Sequence, residues 1–135
     1  MKIHGEDILK LFEFDKVCEQ VAFHCRSASA KRLALSLEPI QSRDSLSLIL
    51  RQTQEYKSTL SNKGHFPDTS FEDFEADSQL LSKQGSVLTE MQFSRIRSAS
   101  STVNSILKFL KDRKEFYVSL SEITADVYET KEIIE

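Results

Sequence analysis

Basic side chains are concentrated in one stretch of this chain. Residues 91–114 carry six lysines and arginines and one acidic residue. Residues 66–90 before it and 115–135 after it each carry six acidic side chains and one basic one. Lysine and arginine neutralise phosphate groups, so a basic stretch on one helix predicts contacts to a nucleic-acid backbone. The candidate contacts are Arg95, Arg97, Lys108, Lys111, Arg113 and Lys114.

The same charges have a second interpretation, in which the basic stretch pairs with its acidic neighbours or is simply solvated. We favour this interpretation, because no aromatic or glycine-rich binding motif accompanies the lysines and arginines. The formal net charge of the chain is −3. The isolated chain is therefore predicted to bind duplex DNA weakly, and a sub-micromolar affinity at ~150 mM salt would contradict that prediction.

Motifs for enzymatic chemistry are missing from the sequence. It has no Gly-x-x-x-x-Gly-Lys-Ser/Thr phosphate loop, no Gly-x-Ser-x-Gly elbow and no His-Glu-x-x-His zinc pair. The three histidines lie in separate segments, and His65 with Asp68 is interpreted as a loop hydrogen bond rather than a catalytic dyad. We therefore predict no catalytic residue and no cofactor site in this chain.

Carboxylates suggest two metal sites, and both are rejected. Asp68 with Glu129 and Lys131 has the residue types of a metal-dependent nuclease, but these residues are about 60 positions apart in a loop and a helix. An acidic group at Glu72, Asp73, Glu75 and Asp77 lacks the glycine and alternating ligands of a calcium loop, and is interpreted as the solvated start of a helix.

The two cysteines are predicted to be free. Cys18 and Cys25 are seven positions apart on one predicted helix, a separation of roughly 10 Å that a disulfide cannot bridge. With His24 they provide only part of a metal site, so no metal is predicted. No apolar run approaches the ~20 residues of a membrane span. The first residues become acidic too early for a signal peptide, so we expect a cytoplasmic location without membrane contact.

Apolar spacing predicts helices along the whole chain. Helices are expected from about Gly5 to Cys25, with Phe12, Phe14 and Phe23 in the core, and from Ala30 to Leu37. A third helix is expected from Ser42 to about Leu60, with its buried side at Leu46, Ile49, Leu50, Thr53, Tyr56 and Leu60. Another is expected to open with a capping box at Ser70–Asp73 and to close at Gly85.

The longest pattern begins at a capping box, Thr89-Glu90-Met91-Gln92, and predicts a helix over about residues 90–112. Phe116, Leu120 and Ile123 suggest a short helix, and Tyr128, Ile133 and Ile134 the beginning of another. No segment alternates in the manner of a strand. The sequence therefore predicts an all-α, bundle-like fold without a sheet, forming a single domain over residues 1–135. The unfinished last helix suggests that this is the N-terminal fragment of a longer protein.

Six short motifs follow one another between residues 8 and 110. They are Phe14-Asp15-Lys16-Val17-Cys18-Glu19-Gln20-Val21, Ser27-Ala28-Ser29-Ala30-Lys31-Arg32-Leu33, Leu37-Glu38-Pro39, Thr53-Gln54-Glu55, Gly64-His65-Phe66-Pro67 and Gly85-Ser86-Val87-Leu88. Their order and spacing resemble the core region of the MutS family of DNA-repair ATPases. The second bacterial branch, which lacks the mismatch-recognition domain, is the most similar. Ala30 departs from the usual glycine of the family, and Phe12 from the common leucine.

The resemblance implies that this chain is the N-terminal part of a helical core that links an ATPase to DNA-gripping arms. In that family a downstream P-loop ATPase binds ATP and Mg²⁺ and forms most of the homodimer interface, and this branch often ends in a nuclease domain. The family processes branched or recombining DNA, and this branch is also associated with rescue of collided ribosomes. The implied partners are DNA, through the parent protein, and the remaining core and ATPase domains of the same chain. The implied role is mechanical.

Two other functions are compatible with the sequence. The chain has the features of a protein–protein interaction module, which would use the small residues Ala99 and Ser100 or the C-terminal helix to bind a partner. It also has the residue types of an independent metal-dependent nuclease, which would lose activity in the Asp68→Ala variant. An interaction module captures partners without DNA, whereas a core segment exposes apolar surface and gains stability when the chain is lengthened.

Overall fold

The computed structural model describes residues 12–61 and 65–133. Within them the chain forms six α-helices, a final 3-10 turn and no strand, which confirms the all-α prediction. The helices are α1 (Phe14–His24), α2 (Ala28–Leu35), α3 (Arg43–Ser61), α4 (Glu75–Leu81), α5 (Glu90–Asp112) and α6 (Val118–Ile123), and the 3-10 turn is Lys131–Ile133. No helix in the described part of the chain is long and apolar enough to cross a membrane.

The chain divides into two compact units, Met1–Leu46 and Ser47–Glu135. In the first unit, α1 and α2, which correspond to the first two predicted helices, form a helical hairpin. Ser27 caps α2, since its hydroxyl accepts a hydrogen bond from the Ala30 N–H at 3.1 Å. The helix ends at Leu35, so the predicted position of Leu37 inside it is wrong. The part of the first predicted helix that precedes residue 12 lies outside the described residues.

Only small side chains are buried in the hairpin, namely Cys18, Ala22 and Ala34. The prediction that Phe12 and Phe23 belong to the core is wrong, because their side chains are 74% and 84% exposed. Both cysteines are free, as predicted. The two helices of the hairpin therefore pack through small groups, and their large apolar side chains Val17, Val21, Phe23, Leu33 and Leu35 are exposed.

Helix α3 starts as the sequence predicts but buries a different side. The Ser42 hydroxyl accepts a hydrogen bond from the Ser45 N–H at 3.3 Å, which satisfies a free donor of the first turn. Thr59 is 1% exposed, whereas the predicted buried residues are all exposed. Leu50 is 59% and Leu60 68% exposed. The described part of α3 reaches Ser61, and the three residues that follow lie outside the described part.

Besides the Tyr56 ring, which meets Phe66 edge to face, α3 packs through polar side chains that bind the start of α6. The Glu55 carboxylate accepts hydrogen bonds from the Ser119 and Leu120 N–H groups at 3.0 and 2.8 Å. The Gln52 amide donates to the Ser119 carbonyl at 3.2 Å. A helix start has unpaired N–H groups and a positive dipole end, so a carboxylate there both caps the helix and neutralises the dipole. Glu55 thus fixes α6 against α3.

The core of the second unit is aromatic. Phe109, Leu110 and Tyr117 are buried, with Phe66 and Leu120 partly buried against them. The Phe109 ring stacks on Tyr117 with centroids 5.8 Å apart, and meets Phe66 edge to face at 5.1 Å. Offset and edge-to-face pairs add stability beyond the area that they bury. This cluster joins the end of α5 to α6 and to the loop that contains Phe66.

Two predicted element starts differ from the structure. The segment Ser70–Asp73 does not open a helix, and α4 begins at Glu75 instead. The Asp68 carboxylate accepts hydrogen bonds from the Ser70 N–H and hydroxyl, which favours a turn. Gly85 adopts φ 81° in the turn after α4, a conformation that favours glycine. Tyr128 lies in an irregular segment rather than in a helix, and Ile134 falls outside the described residues.

Candidate nucleic-acid interface

Helix α5 carries most of the predicted phosphate contacts, and local chemistry fixes where it starts. Thr89 and Gln92 form the predicted capping box: the Thr89 hydroxyl accepts from the Gln92 N–H at 3.3 Å, and the Gln92 side chain accepts from the Thr89 N–H at 2.9 Å. The helix then runs to Asp112, as predicted. Successive residues turn by about 100°, so its basic residues are divided between two sides.

One side of α5 faces the interior, where Ile96, Ala99, Phe109 and Leu110 are buried. Ala99 is 2% exposed, so the small-residue face proposed for partner binding points into the protein. Arg97, Lys108 and Lys111 lie on the opposite, exposed side, and Lys114 is exposed just after the helix ends. Four of the six residues that the sequence predicts as phosphate contacts therefore lie on accessible surface.

Arg95 lies on the inner side and has a protein partner. Its guanidinium donates to both oxygens of the Asp77 carboxylate, with distances of 2.8 and 3.1 Å. The Asp77 side chain is 5% exposed and that of Arg95 26%. This paired geometry is a strong form of charge-assisted hydrogen bond. For Arg95, the structure shows the internal pairing that the charge pattern also predicted.

The ion pair makes stability depend on pH. Hydrogen bonds from Arg95, supported by Gln92, hold the pKa of the Asp77 carboxyl below its usual 3.8. The ionised form is therefore favoured in the folded state, so its stabilisation is present above that value and is lost as the pH falls through the lowered pKa. We expect the unfolding midpoint of Asp77→Asn to be lower at neutral pH and to change less than that of the native chain between about pH 5 and pH 2.

The measurement is urea unfolding across this pH range, with Asp126→Asn as the control. Asp126 is an exposed carboxylate in the same unit, so its variant is expected to follow the native chain. Parallel acid curves for the native chain and Asp77→Asn would contradict the stabilising role of the pair.

Arg113 is also held by the protein. Its guanidinium carbon lies 4.3 Å from the centre of the Phe109 ring, within the range of a cation–π contact. Arg97 lies elsewhere, in an open polar cavity of about 580 Å³ with Asp68 and Ser70 and the hydroxyls of Ser94, Ser98, Ser101 and Thr102. The six candidate residues therefore do not form one continuous stripe.

Lys111 and Lys114 stand between two further cavities and line both of them. The first cavity, about 420 Å³, is also lined by Tyr128 and Lys131. The second, about 480 Å³, is also lined by Phe116. Sequence reasoning missed this association of lysines with aromatic rings, because Tyr128 was assigned to a helix. An exposed aromatic residue after a basic helix was the available signal.

Residues of the nuclease and metal sites that the sequence analysis rejected have structural contacts. Asp68 forms its turn with Ser70, and the Glu129 carboxylate lies 3.8 Å from the Lys131 ammonium. Among residues 12–61 and 65–133, no group of three His, Cys, Asp or Glu side chains is arranged to hold a metal ion. The Cys25 thiol, just after the end of α1, lies 3.3 Å from the Val21 carbonyl of that helix.

Comparison with known proteins gives sequence relatives only. No protein-family model matches the chain, and no solved structure matches it. The chain is 30% identical over 119 residues to a protein from Lactobacillus helveticus named Endonuclease MutS2, an alignment that covers 88% of this chain and 15% of that protein.

Two further proteins with the same name match in the same way. The one from Thermomicrobium roseum is 27% identical over 121 residues, covering 87% of this chain and 15% of its own length. The one from Alkaliphilus metalliredigens is 28% identical over 110 residues, covering 80% and 14%. The chain thus spans about one-seventh of the length of these relatives, and the similarities support a relationship to the MutS family.

Proposed function

We propose that this chain is a non-catalytic segment of the helical core of a MutS-like DNA-binding ATPase, of the branch without a mismatch-recognition domain. The parent protein acts in DNA repair or the control of recombination, and this segment links the ATPase to DNA-gripping parts. ATP, Mg²⁺, the dimer interface and any nuclease activity belong to the rest of the parent protein. The similarity to three MutS2 proteins over 80–88% of the chain, but only 14–15% of theirs, carries the proposal.

The surface of α3 supports a role as part of a larger core. A helix normally buries its apolar side, since each buried leucine contributes roughly 1.5–3 kcal/mol. Here Leu46, Ile49, Leu50 and Leu60 are all at least 41% exposed, while Gln52 and Glu55 make the inward contacts. An apolar helix side of this kind fits further helices of the same parent chain, as the packing of a helical core requires.

The test compares the effect of one substitution in two lengths of the protein. In the 135-residue chain, Leu50→Asn is expected to change the free energy of unfolding by less than about 0.5 kcal/mol, because Leu50 is exposed. In the parent protein, read from the coding sequence and containing a P-loop, the same change is expected to cost about 2 kcal/mol or more. Urea unfolding of both lengths gives the two values.

Val87→Asn is the matched control, since Val87 is 87% exposed and lies in the loop before α5. It is expected to be near neutral in both lengths. An equally small effect of Leu50→Asn in both lengths, or a coding sequence without a P-loop, would contradict the proposal. Concentration-dependent self-association of the short chain, abolished by Leu50→Asn, would favour the interaction module instead.

A further inference from the structure

One part of the second unit combines lysines with exposed aromatic rings. Lys111 and Lys114 form a shared wall between the two cavities, with Tyr128 on one side and Phe116 on the other. Both rings face solvent, being 81% and 78% exposed. Among the described residues, neither Lys111 nor Lys114 takes part in an ion pair. Large exposed rings are not contributing to the core, so a surface with two of them beside two lysines fits a ligand.

The fold holds this arrangement in place. The Asn104 side chain accepts a hydrogen bond from the Thr130 N–H at 3.1 Å, which ties the irregular segment containing Tyr128 to the side of α5. Helix α6, capped by Glu55, supplies Ser121 to the wall of the first cavity. Buried Leu110 also lines that cavity. The helix that carries Lys111 and the segment that carries Tyr128 are therefore held together by a contact that does not depend on a ligand.

We propose that this surface binds single-stranded nucleic acid across two successive nucleotides. The phosphate between them lies on Lys111 and Lys114, and the two bases enter the cavities and stack on Tyr128 and Phe116. Volumes of about 420 and 480 Å³ are within the range of small-ligand sites. Combined lysines and aromatic faces are the chemistry by which proteins hold single strands. In a duplex the bases are paired and stacked inside, so they cannot reach the rings.

Acidic side chains limit the affinity of this site. Asp112 and Glu115 line the second cavity, and Glu129 lines the first. These carboxylates repel a second nucleic-acid strand, so the stacking of bases on the two aromatic rings is the main attraction between the site and a single strand. We therefore expect Glu115→Gln to strengthen binding, and we expect single strands to be preferred over duplex by about tenfold.

Fluorescence anisotropy tests the proposal, with a labelled oligothymidylate of about ten nucleotides and a duplex of the same length. Tyr128→Leu and Phe116→Leu keep an apolar side chain but remove the ring. Each is expected to weaken binding of the single strand by about tenfold, with little effect on the duplex. Lys111→Ala and Lys114→Ala are each expected to flatten the slope of log affinity against log salt by about 0.7.

Lys83→Ala is the charge control, because Lys83 is exposed in the same unit and lies outside both cavities. It is expected to leave binding unchanged. All the substituted side chains are exposed, so thermal melting checks that the variants stay folded. Unchanged affinity of the two leucine variants, or equal competition by a polyglutamate peptide with the single strand, would overturn the proposal.

The inference rests on the nucleic-acid role proposed for the parent protein, but the two fail separately. If the chain does not bind single strands but Leu50→Asn still costs more in the parent protein than in the short chain, this site is ruled out and the assignment to a helical core stands. Binding to the site in a chain whose coding sequence lacks a P-loop would support the site and contradict the core assignment.

Discussion

Replacing Phe109 with alanine is expected to lower the free energy of unfolding by about 3–5 kcal/mol, the largest effect of any single substitution proposed for this chain. Phe109 is 6% exposed and touches Phe66 and Tyr117 through aromatic pairs, while Arg113 lies over its ring. Alanine removes all three contacts and leaves a cavity that the surrounding helices fill only in part. Urea unfolding monitored by circular dichroism measures the loss.

Phe116→Ala is the matched control. It removes the same ring seven residues later, from a side chain that is 78% exposed. Its expected effect is below about 0.5 kcal/mol. Equal losses in the two variants would show that the aromatic cluster is not the centre of the second unit.

Glu55→Ala is expected to cost about 2 kcal/mol and to loosen α6. The substitution leaves the Ser119 and Leu120 N–H groups without the carboxylate that accepts their hydrogen bonds, and Ser119 is only 7% exposed. An unpaired buried donor costs more than the hydrogen bond itself contributes. Hydrogen exchange at these two amides is expected to accelerate more than exchange within α5.

Two variants calibrate this result. Glu55→Gln keeps an acceptor oxygen but loses the charge. Its free energy of unfolding is therefore expected to lie between that of the native chain and that of Glu55→Ala. Gln54→Ala changes the exposed neighbour and is expected to be near neutral. Amide exchange in α6 that is unaffected by Glu55→Ala would contradict the capping role.

Features fixed by neighbouring residues were predictable from the sequence. The capping box at Thr89 and Gln92 sets the start of α5 within one turn, and its apolar spacing carries the helix to Asp112. Ser42 acted in the same way for α3. The all-α fold follows because these signals are local and agree with one another.

Features that depend on distant residues were not predictable in the same way. Apolar periodicity predicted the Leu50 side of α3 as buried, whereas the hydrogen bonds that Glu55 accepts from Ser119 and Leu120 hold the Glu55 side inward. Nothing within α3 identifies those partners. The charge pattern predicted pairing with acidic neighbours but did not identify Arg95 as a residue that pairs, because its partner Asp77 lies on another helix.

In the candidate site, too, local features were predictable from the sequence and features that depend on distant residues were not. Helical spacing predicts that Lys108 and Lys111 share the exposed side of α5. The position of Tyr128 beside Lys111 depends on a return of the chain that Asn104 fixes through Thr130. A turn of this kind has no apolar period to reveal it, so the association of lysines with aromatic rings emerged only from the structure.

The hydrogen bonds that Glu55 accepts from α6 join residues 64 and 65 positions apart, whereas α5 and α6 are neighbours along the chain. Closing the longer loop costs more conformational entropy before any contact repays it, so α5 and α6 are expected to pair before α3 joins them. During synthesis the Glu55 carboxylate must then remain hydrated until Leu120 has been added. For these three helices the expected order of assembly therefore differs from the order of translation, because α3 is made first and joins last.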